Sequence, residues 1–395
     1  MVRFASRLDS IPPYLFGEIS RLKAKAISEG ADLIDFGIGD PDQPTPQPII
    51  DKLAEAANDP ATHRYDETDY GWPPFIEAVA DWYVGRFGVQ LDPAKGEVLG
   101  LIGSKEGLAH LAWAFIDPGD VSLVPEPGYT VYKVNTALAG GTPIAMPLLA
   151  ENGFLPDLSA IPADVAKKAK LLYINYPNNP TAAVATPEFF AEVVAFAKEH
   201  DIVVCHDAAY SEVTYDGYRA PSFLQTPGAK AVGIEIHSLS KAFSMTGWRV
   251  GFAVGNADVL KGLNKLKSNV DSKQFPALME AGAYALRNLE ASPATLALYA
   301  RRRDIVIDGL NGMGWNMPKT KATLYVWAPV PPGYTSIEFA KTLLEKAGVL
   351  VVPGIGYGQY GEGYIRISLT VSGDRNGERV AEAFDRIRRN VQVRW

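Results

Sequence analysis

Lys241 sits in the run Ser238-Leu239-Ser240-Lys241-Ala242-Phe243-Ser244-Met245-Thr246-Gly247-Trp248-Arg249-Val250-Gly251, directly after an apolar segment that reads as a buried strand. A lysine set among small residues, partly buried and near a second cation, loses part of its proton affinity and becomes a nucleophile toward aldehydes. Arg249 and the serines Ser238 and Ser240 offer the charge and hydroxyls that hold a phosphate. Taken alone, Lys241 reads as a surface lysine on a loop. The whole spacing, with Ser238 before it, Arg249 after it and Gly251 two residues further, turns the reading toward an aldehyde-and-phosphate site.

Such groups need elements to hold them. Short apolar runs at Glu97–Ile102, Val121–Val124, Pro143–Met146, Lys170–Asn175, Ile202–Cys205, Gly233–His237 and Arg249–Val254 read as strands, with helical patterns such as Glu106–Phe115 and Pro187–Glu199 between them. Strands alternating with helices imply an α/β fold with a mainly parallel sheet of seven strands covered on both faces. After a helical stretch near Pro293–Leu310, strands near Ala322–Ala328 and Tyr364–Leu369 point to a smaller α+β domain. The expected division is an N-terminal arm with part of the small domain at 1–45, a large domain at 46–285 and a small C-terminal domain at 286–395. In open parallel sheets ligands bind beyond the carboxyl ends of the strands. Five candidate strands run there into chemistry: Gly103-Ser104-Lys105, Pro127-Gly128-Tyr129, Asn178-Asn179-Pro180-Thr181, Asp207-Ala208-Ala209-Tyr210 and Ser238-Leu239-Ser240-Lys241. Read singly, Asp207 is equally a turn cap, Asn179 a turn residue, Tyr129 a loop-packing residue and Arg366 half of a salt bridge. Their convergence on one sheet edge is what carries weight.

Composition removes several classes. With 395 residues, 47% apolar and 21% charged, the chain is large enough for two cores. A net charge of −7 with no basic stripe argues against a nucleic-acid surface. Arg301–Arg303 and the cluster Arg386, Arg388 and Arg389 read as solvated helix faces. No apolar run is long enough for a membrane span, and Pro12 and Pro13 fall where a signal peptide needs an apolar core. The single cysteine, Cys205, allows no intrachain disulfide and fits a cytoplasmic protein. The five histidines are scattered, so no metal is expected. Gly37-Ile38-Gly39-Asp40-Pro41 continues into prolines rather than a helix, which argues against a dinucleotide-binding fingerprint.

The lysine run resembles the pyridoxal-5′-phosphate (PLP) attachment signature of the class I/II aminotransferases, which have the PLP-dependent transferase fold type I. The resemblance extends from Phe4 to about Arg388 and is strongest to the LL-diaminopimelate aminotransferase group. It is carried also by Pro12-Pro13-Tyr14-Leu15-Phe16, Gly37-Ile38-Gly39-Asp40-Pro41, Ile102-Gly103-Ser104-Lys105-Glu106-Gly107, Tyr176-Pro177-Asn178-Asn179-Pro180-Thr181 and Cys205-His206-Asp207-Ala208-Ala209-Tyr210. The resemblance implies that Lys241 holds PLP as a Schiff base and, once released, moves protons as acid and base. It implies Asp207 against the pyridine nitrogen. Tyr210 and Asn179 would face the phenolic oxygen, and Tyr129 would stack on the ring. Ser104, Lys105, Ser238, Ser240 and Arg249 would surround the phosphate, with Tyr65 reaching it from the second subunit of a homodimer. Arg366 would bind the substrate α-carboxylate, helped by the Gly39 N–H, with Tyr14, Lys105 and Asn179 also near the substrate.

Four stretches depart from the family pattern: Ala182 follows Asn179-Pro180-Thr181 where glycine is usual, Trp72-Pro73-Pro74 replaces a Leu-Pro-Glu stretch, Lys273 stands in Asp271-Ser272-Lys273-Gln274-Phe275 where glycine is usual, and Ala242-Phe243-Ser244 follows the lysine. A positive φ at Ala182 would be costly. Amino transfer between an amino acid and a 2-oxo acid is the first expectation, with LL-diaminopimelate and 2-oxoglutarate as the implied pair. The alternative keeps fold and cofactor for β- or γ-elimination, replacement or cyclisation, for example on S-adenosylmethionine.

Overall fold

The computed structural model describes residues 2–11, 21, 23–25, 27, 28 and 30–392. Its strands are β1 (Ile34–Asp35), β2 (Val98–Leu101), β3 (Val121–Glu126), β4 (Thr142–Pro147), β5 (Ala169–Asn175), β6 (Val203–Asp207), β7 (Gly233–Ser238), β8 (Gly251–Gly255), β9 (Tyr325–Pro329), β10 (Val349–Leu350), β11 (Val352–Pro353) and β12 (Tyr364–Ser368). The principal helices are α1 (Gln47–Ala57), α2 (Pro73–Phe87), α3 (Ser104–Phe115), α4 (Val131–Leu138), α5 (Pro187–His200), α6 (Leu239–Ala242), α7 (Ala257–Val270), α8 (Pro276–Asn288), α9 (Pro293–Asn311), α10 (Ser336–Ala347) and α11 (Glu378–Asn390).

Seven strands form one sheet in the order β2-β8-β7-β6-β5-β3-β4. All neighbours are parallel except β8, which runs antiparallel to both β2 and β7. The central strands are buried almost throughout because helices cover both faces, and the polar residues they carry, such as His206 of β6 and Glu235 and His237 of β7, are buried with the apolar ones. Leu172 of β5 and Val204 of β6, which pair in register, are both fully buried. The covering helices start where the sequence provides caps: Thr186 accepts from Phe189 N at 3.3 Å and Pro187 occupies the first turn of α5.

A second core gathers Ile34, Phe36, Val306, Val326, Ile365, Ile367 and Phe384 around an antiparallel sheet of order β11-β12-β9. β1 pairs with β10, Ile34 opposite Val349. Ser368 N then donates to Phe36 O at 2.9 Å, which lays the segment after β1 alongside β12. Arg366 is on β12, opposite Trp327 of β9.

Arg302 and Arg303 do not lie on a solvated face: they are 0% and 1% exposed. Arg302 makes a two-pronged contact with Asp42, 2.9 Å on each arm, and Arg303 reaches Asp216 at 2.7 Å. A run of arginines on a helix looks solvated in sequence because its acidic partners are distant along the chain. Here they arrive from the N-terminal segment and from the turn after Tyr215, and paired guanidinium groups can be buried.

Candidate active site

Lys241 is the third residue of α6, a single turn that follows β7 directly. Its Nζ donates to Gly39 O at 2.7 Å. Burial lowers the pKa of this amine, and the nearby Arg366 and Arg249 charges push the same way, while Tyr325 and Asp40 oppose them. The amine projects into a cavity of about 550 Å³ at the carboxyl ends of β5, β6 and β7. A cleft of about 660 Å³ elsewhere holds Arg86, Glu212 and Arg287. Size does not distinguish the two; the ionisable groups do. In the second cleft Arg86 is neutralised by Glu212 at 3.0 Å and Arg287 by Glu77 at 3.6 Å.

One wall of the first cavity is acidic. Asp207 ends β6, is 5% exposed, and its Oδ2 accepts from the Tyr132 hydroxyl at 2.7 Å. Burial raises its pKa, and the bond from Tyr132 works against that rise. Asn175, its register partner on β5, donates Nδ2 to Asp207 O at 2.7 Å and accepts from Asn179 N at 2.9 Å. Tyr210 meets Tyr325 hydroxyl to hydroxyl at 2.8 Å. Gly39 faces the same pair: a Cβ there would overlap the Tyr325 hydroxyl.

The opposite end is built for an anion. Ser104 and Lys105 begin α3, whose first N–H groups and dipole favour negative charge. Ser238, Ser240 and Arg249 border the same cavity. Arg249 has a left-handed backbone (φ +58°), and its Nη1 bonds neutral oxygens, Thr246 O at 2.9 Å and Ser240 Oγ at 3.5 Å. Gly103, at φ +74°, allows this approach, because a Cβ there would run into the guanidinium.

Arg366 is 1% exposed, which removes the surface-salt-bridge reading. Nη1 donates to Asn179 Oδ1 at 3.0 Å and Nη2 to Gly37 O at 2.9 Å, and the guanidinium lies 4.2 Å from the centre of the Tyr325 ring. Tyr129 also borders the cavity.

The structure therefore brings Gly39, Ser104, Lys105, Tyr129, Asn179 and Asp207 together with Tyr210, Ser238, Ser240, Lys241, Arg249 and Arg366. Tyr65 stands apart, 81% exposed, beside Lys273 and Phe275. Tyr14 lies outside the described residues. Sequence reasoning missed Tyr132, Asn175 and Tyr325. Tyr132 was visible one helical turn after Tyr129, and Asn175 ended an expected strand. Nothing in the sequence marked Tyr325.

The departures have a common geometry. Ala182, Lys273 and Ser244 all occupy left-handed backbone, at φ +59°, +67° and +53°. The expected cost at Ala182 is thus real. Trp72 donates Nε1 to Glu280 at 2.5 Å, and Pro73 opens α2. Away from the cavity, ligating atoms of Glu106, His110 and Asp271 lie within 4.8 Å of one another. The Lys267 ammonium, 2.7 Å from Asp271 and 3.3 Å from Glu106, already supplies the balancing cation.

The residues fit PLP. A lysine amine suits its aldehyde, a buried carboxylate its ring nitrogen, paired tyrosine hydroxyls its phenolic oxygen, and a helix start with Arg249 its phosphate. Fold and site together define a PLP-dependent enzyme of fold type I. The model of the family "Aminotransferase class I and II" matches residues 31–384, and the chain belongs to that family. It is 58% identical over 386 residues to LL-diaminopimelate aminotransferase of Moorella thermoacetica, covering 98% of this chain and 97% of the relative. It is 54% identical to the enzyme of the same name from Halothermothrix orenii, covering 97% of each. Among solved structures, substrate-bound BacF from Bacillus subtilis superposes with a TM-score of 0.93 at 38% identity, covering 100% of this chain and 99% of that one. The chain is a PLP-dependent aminotransferase, and the elimination and cyclisation alternative is not favoured.

Proposed function

We propose that the enzyme transfers the amino group of LL-diaminopimelate to 2-oxoglutarate, in the cytoplasm, as a homodimer with shared active sites. The observation that supports the substrate most directly is the identity of 58% over 98% of the chain to a relative of that name. When bound, PLP supplies an aldehyde for the substrate amine and a ring that accepts the electron pair released at Cα. On this reading Lys241 Nζ would take the proton from the substrate Cα and deliver it to C4′ of the cofactor, a role its lowered pKa suits. Asp207 holds a proton on the ring nitrogen. Tyr210 and Asn179 fix the phenolic oxygen, Tyr129 covers the ring face, and Ser104, Lys105, Ser238, Ser240 and Arg249 hold the phosphate. Arg366 binds the α-carboxylate with the Gly39 N–H beside it, and Lys105 and Asn179 contact the substrate. The exposure of Tyr65 supports its reaching the phosphate of the other subunit. No helix among the described residues is long and apolar enough to cross a membrane. The two cores support the division at 1–45, 46–285 and 286–395.

Lys241→Ala tests the cofactor assignment. Turnover and the visible absorption band of lysine-linked PLP should both disappear; a band unchanged from wild type refutes it. A screen of amino donors against 2-oxoglutarate, read as glutamate formed, tests the substrate. Glutamate from other donors but none from LL-diaminopimelate rejects that pair.

A further inference from the structure

Asp207 has a buried histidine behind it. Successive residues of a strand face opposite sides of a sheet, so His206 points away from the cavity that Asp207 borders. It is 0% exposed. Its Nε2 lies 2.9 Å from Tyr176 O, and its Nδ1 lies 3.0 Å from Glu235 Oε2. A carbonyl oxygen only accepts, and so does an ionised carboxylate. If Glu235 is ionised, each nitrogen of His206 must bring its own hydrogen.

The donors around Glu235 decide that point. Its Oε1 receives the Tyr83 hydroxyl at 2.7 Å and faces His237 Nε2 at 2.7 Å. Its Oε2 receives Ser222 Oγ at 2.9 Å and Phe223 N at 2.8 Å, besides His206. Phe223 N and the Tyr83 and Ser222 hydroxyls donate whatever the state of either histidine, and three such donors favour the ionised carboxyl, whose proton affinity the neighbouring imidazoles and hydrogen bonds lower against the opposing effect of burial. His237 is under no such demand: its Nδ1 lies 3.4 Å from the Ser211 hydroxyl, which can either donate or accept. The Phe190 and Phe223 rings also flank His206, 5.1 and 6.4 Å away. Neither offers a charge or a proton.

We propose that His206 is a buried imidazolium, donating from one nitrogen to Tyr176 and from the other to Glu235, and that it is a positioning residue which keeps the adjacent Asp207 carboxyl ionised. The second half rests on the reading that Asp207 meets the ring nitrogen of PLP; the first half does not. Burial of a carboxylate favours its taking up a proton. Asp207 needs to be ionised to hold a proton on that nitrogen, and a fixed cation one residue away favours the ionised form. The direction agrees with the electrostatics at Asp207, where burial raises the pKa and the His206 charge lowers it.

The test uses the apoenzyme with ¹⁵N-labelled histidine, so that the cofactor plays no part. Five side chains are to be resolved, and His206 is assigned by the signal lost in His206→Gln. At neutral pH both of its ring nitrogens should show the protonated ¹⁵N shift; an unprotonated nitrogen overturns the proposal. In Glu235→Gln, which removes the anion, one nitrogen should lose its proton, and an unchanged pattern there also counts against the pairing. The link to Asp207 is read by ¹³C titration of its carboxyl in the apoenzyme. Loss of the charge in His206→Gln should raise the titration midpoint by about one pH unit, a tenfold shift in proton affinity. No shift overturns the positioning role. Should His206→Gln fail to fold, His206→Asn takes its place in the same titration, with the same rise expected and the absence of a shift again overturning the role. Failure of the Lys241→Ala test would strike the cofactor reading and leave these results standing.

Discussion

Replacing Arg366 by lysine keeps the charge and removes the fork. The guanidinium carries five N–H donors in one plane. With Nη1 on Asn179 and Nη2 on Gly37, its orientation is set before substrate arrives. A lysine ammonium is a point charge that cannot present two parallel donors to a carboxylate. Losing one charge-assisted hydrogen bond costs about 1.5–3 kcal/mol. At 1.4 kcal/mol per factor of ten, that is roughly a 10- to 150-fold loss in kcat/KM. Arg366→Ala should cost more, about 2–5 kcal/mol. Part of that would appear as lost stability, because Asn179 and the Gly37 carbonyl also lose a donor. The lysine variant is therefore the cleaner probe. Steady-state kcat/KM for donor and acceptor, with the PLP absorption checked for retained cofactor, gives the answer. If KM for both carboxylate substrates stays at the wild-type value, Arg366 does not bind the carboxylate and the assignment falls.

Three further substitutions have expected outcomes. Asp207→Asn should stabilise the apoenzyme at neutral pH, because it removes a buried carboxylate. The raised pKa gives the sign: the wild-type penalty is full above the folded-state pKa, fades as pH falls from there to the ordinary carboxylate range, and is gone below that range. The difference in melting temperature should shrink with acidification, and a pH-independent difference would contradict this. Ala182→Gly and Lys273→Gly should each raise stability by up to about 1 kcal/mol, since left-handed backbone costs an L-residue about 1–2 kcal/mol and the added chain entropy of glycine returns part of it. Denaturant melts that show both variants destabilised would mean that the methyl of Ala182 and the Lys273–Asp66 contact outweigh the strain.

All seven large-sheet strands were legible because buried parallel strands leave short apolar runs bounded by turns, which local sequence records. The strand-end chemistry was legible for a related reason: Ser104, Asn179, Asp207 and Lys241 each follow such a run within a few residues. Arg302 and Arg303 were misread because burial of a charge is settled by partners that the helix itself does not contain. Tyr325 was invisible because its neighbour, Tyr210, is distant along the chain.

By itself, then, the sequence determined the α/β class, the lysine, the aspartate and the anion-binding helix start, since each depends on residues close together in the chain. Only the tertiary structure decided that Gly39 and Arg366, carried in by the N-terminal segment and β12, close over Lys241, and that the Tyr132 hydroxyl meets Asp207. Those contacts join elements separated by long stretches of chain, and packing alone brings them together.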